Sequence, residues 1–314
     1  MIGNMSEETL ALKNWFNNTR EYTEEHGLRG ARVGVEELLV KGGHRFVGKN
    51  IWNYGTPVFD LDWDVLVILD ACRHDLFSKA TTEYEWLPDS ASVFTSLGSH
   101  TSEWMEKNFT SQYSQEMQDC IYISGNPQSG IRLDSNDWYL LSEPWRNHRN
   151  EIGTIDPRVL TDFAVKTARE HPDKRLVVHY MQPHQPFREF NHIESGDHWI
   201  SKDVWTGLHL QEFSPEDVWN AYYDNLLWVL DEVKTLVHNM DGEVTLSSDH
   251  GNAFGERGIY GHPQYVPIKC LKEVPLVRLS ATDTGTHTPT FLPEKDRARS
   301  EADIDERLSD LGYV

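Results

Sequence analysis

Over 314 residues the chain carries 50 acidic against 29 basic side chains, a formal net charge of -21, and is 38% hydrophobic. Such an acid surplus excludes general affinity for nucleic acid, whose phosphates require Lys and Arg, and disfavours anionic membrane surfaces. The length suits one sizeable core, and acids spread along the chain suit a uniformly charged, soluble surface, for which a salt-adapted, halophilic source is one explanation.

The N-terminal stretch MIGNMSEETLALKNWF has no basic start followed by an apolar run, so no signal peptide is expected, and no stretch reaches the length of a membrane span. Cys72, Cys120 and Cys270 are odd in number and widely spaced, which suits reduced thiols in a cytoplasmic protein. Residues 6–16 form an amphipathic pattern capped by Ser6, and residues 33–40 a second one; together residues 1–60 read as a helical cover.

The first core strand is the apolar run VLVIL, residues 65–69, which ends in Asp70. SVFTSLGSHT then leads into the helical pattern SEWMEKNF, placing Thr101 at a helix N-terminus. IYIS, residues 121–124, is a further strand. Residues 157–169 make an amphipathic helix with Pro157 at its first position, and RLVVHYM follows as a strand, the rhythm of a βαβ unit. Just beyond that strand stands His184, in QPHQPF.

Residues 189–213 are polar and aromatic and read as an insertion at the active face. In this insertion Trp199, Trp205 and His209 suit either a cap over a sugar or core packing. A long helix from Ser214 to about His238 leads into the strand at residues 244–247, and Asp249-His250-Gly251 follows directly. A carboxylate beside an imidazole at a strand end suits a divalent metal, with Gly251 turning the backbone away; the alternative is a polar loop whose Asp caps a turn. Gly255, Gly258 and Gly261 keep the following loop pliable as far as His262. A strand over residues 274–279 and a Thr/Pro-rich tail with a small helix at residues 303–311 complete the chain. The parts are thus the cover, a catalytic unit over residues 61–280 and a loosely packed tail over residues 281–314.

Asp70, His184 and the pair Asp249-His250 all fall at or just past predicted strand ends, and the ends of parallel strands converge on one sheet edge. The segments DVLVILDACRHD, GSHTSEW, HYMQPHQPF and SSDHGNAFGERGIYGH, in this order, resemble the sulfatase-like branch of the alkaline phosphatase superfamily. That branch includes arylsulfatases, phosphonate and phosphate diester hydrolases and lipoteichoic acid synthase-type phosphotransferases. The resemblance implies an α/β fold, a doubly wound α/β/α sandwich with a mostly parallel central sheet. It makes Asp70, Asp249 and His250 ligands of a divalent metal (Zn²⁺, Mn²⁺ or Mg²⁺), one ion, with a second if His184 or His262 contribute. Thr101, in GSHTSE, takes the place of the nucleophile and joins the metal.

A hydroxyl beside a cation and at the positive end of a helix dipole is favoured as an alkoxide for in-line attack on phosphorus. His184 and His262 match positions that hold substrate oxygens or protonate the leaving group. Arg73 is a candidate anion clamp, with an ion pair to Asp75 as the alternative. The implied reaction is hydrolysis or transfer of a phosphate ester, on a small molecule or a glycan. Cys72 does not stand in the C/S-x-P-x-R context that formylglycine needs, and the one match to it, SEPWR at residues 142–146, falls well past Thr101, so a sulfatase would have to act without formylglycine at the nucleophile position. Asp224 is followed four residues later by Trp228 rather than His, which leaves a second metal site incomplete. A catalytically silent scaffold on the same fold is the remaining alternative.

Overall fold

The computed structural model of the chain describes residues 7–52, 54–190, 204–291 and 308. No Gly or Pro interrupts helix α1 (Glu7–His26), and Gly27, with φ +58°, ends it in the left-handed conformation that glycine adopts at no steric cost. Helix α2 (Leu28–Glu36), a π-helical turn (Glu37–Lys41) and α3 (Gly42–Asn50) continue the cover, so the helices run longer than the sequence pattern suggested. Ser6, expected as a cap, lies outside the described residues.

The central sheet contains β1 (Val65–Leu69), β2 (Ser92–Thr95), β3 (Cys120–Ser124), β4 (Leu140–Ser142), β5 (Arg175–Tyr180), β6 (Gly242–Ser247) and β9 (Glu273–Ala281); the short strands β7 (Ala253–Phe254) and β8 (Tyr260–Gly261) pair separately. Its order is β2-β9-β6-β1-β5-β3-β4. The five strands from β6 to β4 run parallel, and β9 and β2 join antiparallel at one edge. Around it lie α4 (His74–Ala80), α5 (Thr101–Asn108), α6 (Ser114–Gln118), α7 (Ser129–Arg132), α8 (Pro157–Glu170), α9 (Val204–His209), α10 (Pro215–Val237) and α11 (Lys269–Lys272).

The residues of β1 divide between two cores because alternate side chains of a strand point to opposite faces. Val65, Val67 and Leu69 pack with Leu176, Val178 and the apolar sides of α4, α8 and α10, including Phe77, Leu160, Phe163, Leu226 and Leu230. Leu66 and Ile68 pack on the other face with Tyr122, Val177 and the α5 residues Trp104 and Met105. With both faces covered, β1 needs no polar alternation, and each of its side chains contributes about 1.5–3 kcal/mol by leaving water. The result is the doubly wound α/β/α sandwich expected from the sequence. No helix among the described residues is long and apolar enough to cross a membrane.

Two expectations change in detail. The segment after β9 is held firmly where it is described: Thr290 and Phe291 donate their backbone N–H groups to Asp162 of α8 at 2.7 and 2.9 Å, and His287 Nε2 meets the same carboxylate at 2.6 Å. It is not loosely packed there, because a buried carboxylate needs those donors. The expected helix at residues 303–311 lies outside the described residues except for Leu308, which packs on Trp145.

Candidate active site

A single row of the sheet aligns Ser124 of β3, His179 of β5, Ile68 of β1 and Ser247 of β6. The next residues along these parallel strands emerge at the same edge, which brings Asp70, Asn126, Asp249 and His250 together. The turn after β1 is tightly determined. Ala71 has φ +59°, unusual for a residue with a side chain, and its N–H donates to Asp249 Oδ1 at 2.9 Å. Cys72 N–H donates to Ser248 Oγ at 2.9 Å, and the Tyr222 hydroxyl donates to the Ala71 carbonyl.

Asp249 Oδ1 also accepts from His250 N–H at 2.9 Å. With that oxygen fixed by two backbone donors, the other, Oδ2, faces the interior of the site. It lies 3.4 Å from His250 Nε2 and 3.8 Å from His179 Nε2. His250 Nδ1 sits 2.9 Å from the Gly251 carbonyl, which can only accept, so the neutral ring carries its proton there and turns the Nε2 lone pair inward. That nitrogen is 3.7 Å from Asp70 Oδ1 and 3.2 Å from Thr101 Oγ1. Gly251 serves close approach rather than a sharp turn: a Cβ there would lie 2.2 Å from the Cys270 carbonyl oxygen.

Asp70, Asp249 and His250 are fully buried, and their ligand atoms lie within 4.8 Å of one another. Burial and the nearby Asp70 carboxylate push Asp249 upward. Burial also opposes the charge of Asp70, but His179, His184 and His250 outweigh it and hold that carboxyl below the ordinary range. Among the described residues, Asp249 Oδ2 and His179 Nε2 are buried without a hydrogen-bond partner. Two such orphaned atoms in a buried site are costly, and a divalent cation among Asp70, Asp249 and His250 would relieve the carboxylate oxygen. The residues therefore fit the metal that the resemblance implies.

Thr101 is the first residue of α5 and is fully buried. Its Oγ1 lies 3.4 Å from Asp70 Oδ2. His100 caps the helix, its Nδ1 accepting from Ser102 N–H at 3.1 Å, and its ring stacks over His250 with centroids 6.0 Å apart. Across the site, His184 Nδ1 is 2.6 Å from the Gln185 carbonyl, and His262 Nδ1 is 2.8 Å from Asn252 Oδ1. Each ring is thereby turned so that Nε2 faces the other, at 3.3 Å. Burial lowers both imidazoles, His262 well below the ordinary value with help from the surrounding rings and Lys41. Neutral at pH 7, they present lone pairs to a proton or an electrophilic hydrogen. Asn225 of α10 holds the His184 loop by donating to the carbonyls of His184 and Pro186 at 3.1 and 3.0 Å.

Arg73 stands apart from this group. Its Nε and Nη2 engage Asp75 at 2.8 and 2.6 Å, and Nη1 engages Glu256 at 2.6 Å and the Asn252 carbonyl at 2.9 Å. The guanidinium is neutralised by two carboxylates and lies over the Trp219 ring, an arrangement that structures the loop and leaves no donor row for an anion. The ion pair with Asp75 exists, buried at Arg73 rather than on the surface. Trp205 packs among Phe187, Tyr222 and Phe254, and His209 stacks on Tyr260 with centroids 4.2 Å apart, so both are interior packing; Trp199 lies outside the described residues.

Three further residues, to which the sequence pattern assigns no role in the site, join it. His179 interrupts an otherwise apolar strand, a polar break that marks a buried partner. Asn126 follows β3 as Asp70 follows β1, and its Nδ2 donates to Asp70 Oδ2 and, at 3.4 Å, to Thr101 Oγ1. Applying strand-end logic to β3 would have found it. His100 has no such signal, since a His preceding a helix is unremarkable in sequence.

No family model matches this chain, and no curated protein matches it. Among solved structures it is similar to the soluble domain of lipooligosaccharide phosphoethanolamine transferase A from Neisseria meningitidis, with 16% identity and a TM-score of 0.46 over 69% of this chain and 75% of that one. It is similar at 14% identity and a TM-score of 0.45 to the integral membrane form of that transferase, covering 71% of this chain and 48% of that one. A protein in the alkaline phosphatase superfamily from Vibrio parahaemolyticus is similar at 13% identity and a TM-score of 0.39, over 82% of this chain and 67% of that one.

Proposed function

We propose that this protein is a metal-dependent hydrolase or transferase of phosphate esters, with Thr101 as the nucleophile. The observation that carries this reading is the meeting of a helix-N-terminal hydroxyl with a buried Asp-Asp-His set: Thr101 Oγ1 lies 3.4 Å from Asp70 Oδ2 and 3.2 Å from His250 Nε2. Asp70, Asp249 and His250 would hold the ion, and the mixed oxygen and nitrogen donors suit Zn²⁺ or Mn²⁺. When bound, the cation supplies Lewis acidity toward the hydroxyl and the phosphoryl oxygens.

The chain's own residues do the remainder. The amides at the start of α5 place positive partial charge beside Thr101, favouring loss of its proton. Asn126 Nδ2, between Asp70 and Thr101, fixes their relative position. His184 and His262, with Nε2 atoms facing, take up the proton that Thr101 loses, and the protonated ring then donates to substrate oxygens or returns the proton to the leaving group. Water or a second alcohol then accepts the group from Thr101. We also place the protein in a reducing, cytoplasmic compartment, a reading supported by its three free cysteines.

The test pairs metal analysis with turnover of aryl phosphate and aryl sulfate esters. The parent is expected to bind about one equivalent of Zn²⁺ or Mn²⁺ and Asp249→Ala to lose it. Thr101→Ala is expected to keep the metal while turnover of the phosphate ester falls by about three orders of magnitude or more. Unchanged turnover in Thr101→Ala removes the nucleophile assignment, faster sulfate than phosphate turnover shifts the substrate class, and a parent that takes up no metal points to a silent scaffold.

A further inference from the structure

From Leu38 to Phe59 the sequence contains no acidic residue, although acids far outnumber bases in the whole chain. The same stretch carries Lys41, Arg45 and Lys49 together with Phe46, Ile51, Trp52 and Tyr54. Leu38, Leu39, Phe46, Ile51 and Trp52 are 41%, 67%, 62%, 68% and 59% exposed. Leu38, Leu39, Gly42, Phe46 and Lys49 recur at spacings of three and four, so they form one stripe along the π-helical turn and α3. Trp52 and Tyr54 stack at its end with ring centroids 4.7 Å apart.

The opposite side of this helix is already used. Val40 packs into the small core of Ala253, Ile259, Val266, Ile268 and Leu271, and a Cβ on Gly48 would strike the Tyr265 carbonyl oxygen at 1.9 Å. Solvent-facing apolar side chains here are therefore not a misplaced core face. The loop beneath runs through His262, and the charge of Lys41 reaches that imidazole.

We propose that the stripe over residues 38–52 docks on an anionic lipid surface, its apolar side chains entering the headgroup boundary and the exposed Arg45 and Lys49 facing lipid phosphates. Aliphatic and aromatic residues flanked by bases on one helical face are what such an interface requires. The charge complementarity is local. At physiological ionic strength the Debye length is about 8 Å, so acids elsewhere on the molecule are screened while bases at the contact are not. Docking is independent of the reaction proposed above, and its test reads no activity.

The whole chain is sedimented with vesicles of pure phosphatidylcholine and of mixed phosphatidylglycerol and phosphatidylcholine across a salt series. Binding is expected to the mixed vesicles, weakening as salt rises, and far less to the pure ones. Leu39→Glu with Phe46→Glu is expected to lower partitioning about tenfold, and Arg45→Glu with Lys49→Glu to remove the preference for phosphatidylglycerol. All four positions are exposed, and unchanged circular dichroism establishes that the variants fold; Leu39→Ser with Phe46→Ser repeats the apolar test without added charge. Failure of the parent to bind mixed vesicles overturns the proposal, as does equal binding by the variants. Light scattering that finds a dimer, made monomeric by the apolar variants and without affinity for vesicles, assigns the face to a second copy instead.

Discussion

Lys272 is 1% exposed, and its Nζ donates to the Leu97 carbonyl at 2.9 Å in the loop that leads to Thr101. Burial, opposed by the Glu103 carboxylate, pushes its ammonium down from an ordinary 10.5 to about 7. Because the folded value lies below the unfolded one, the unfolded chain binds an extra proton between those limits. Stability therefore rises as pH climbs from about 7 toward 10.5, and the cost of the buried charge is complete below about pH 7. The slope is at most about 1.4 kcal/mol per pH unit. Lys272→Met should abolish this rise: relative to the parent it loses about 1 kcal/mol at high pH, from the hydrogen bond removed at the Leu97 carbonyl, and gains stability as pH falls toward 7. Urea midpoints of parent and variant near pH 7 and pH 9 test it, and parallel curves would show that Lys272 stays charged when folded. Thr101 itself needs Asp70, His250 and Asn126 around it, so a Thr at a predicted helix start acquires chemistry only through its neighbours.

Helix α8 shows how an element can organise chain beyond itself. Asp156 caps it, accepting from Arg158 N–H at 2.9 Å, and Pro157 occupies its first turn, the latter evident in the sequence. Its buried Asp162 does more. One oxygen takes His287 at 2.6 Å and Arg158 at 3.0 Å; the other takes three donors from Thr290 and Phe291. Together these hold the carboxyl below its ordinary range against the cost of burial. Asp162→Ala leaves those donors unpaired, and a loss of about 3 kcal/mol is expected from removing one member of such a network. The segment at residues 284–291 should then become open to protease before the sheet unfolds. Urea unfolding with limited proteolysis checks both, and an unaltered cleavage pattern would mean that other contacts suffice to hold the segment.

At the scale of the molecule, the charge of -21 has two consequences that differ in range. Repulsion among dispersed acids is long-ranged and destabilises the compact state, so added salt should raise the melting temperature. Simple screening is largely complete by about 0.2 M salt, where the Debye length has fallen below about 8 Å. A salt-adapted surface predicts a rise of several degrees that continues into molar KCl. A melting temperature flat beyond the screening range would argue against salt adaptation. The acid-free stretch over residues 38–59 is the exception to this field, and net charge alone gives no sign of it.

Much of the architecture follows from sequence because its causes are local or periodic. The unbroken VLVIL run requires cover on both faces, which α8 and α10 supply on one and α5 on the other, and helix-then-strand order specifies a largely parallel sheet. Strand-end residues Asp70, Asp249 and His250 were legible for the same reason: parallel strands deliver their ends to one edge. Tertiary structure alone decided what those residues touch. Arg73 is claimed by Asp75 and Glu256, which lies far along the chain, and His179 and Asn126 enter the site because β5 and β3 lie on the same side of β1. His100 joins through the ring stack on His250. Such contacts depend on strand order, register and side-chain direction in three dimensions, and none of these has a period along the chain.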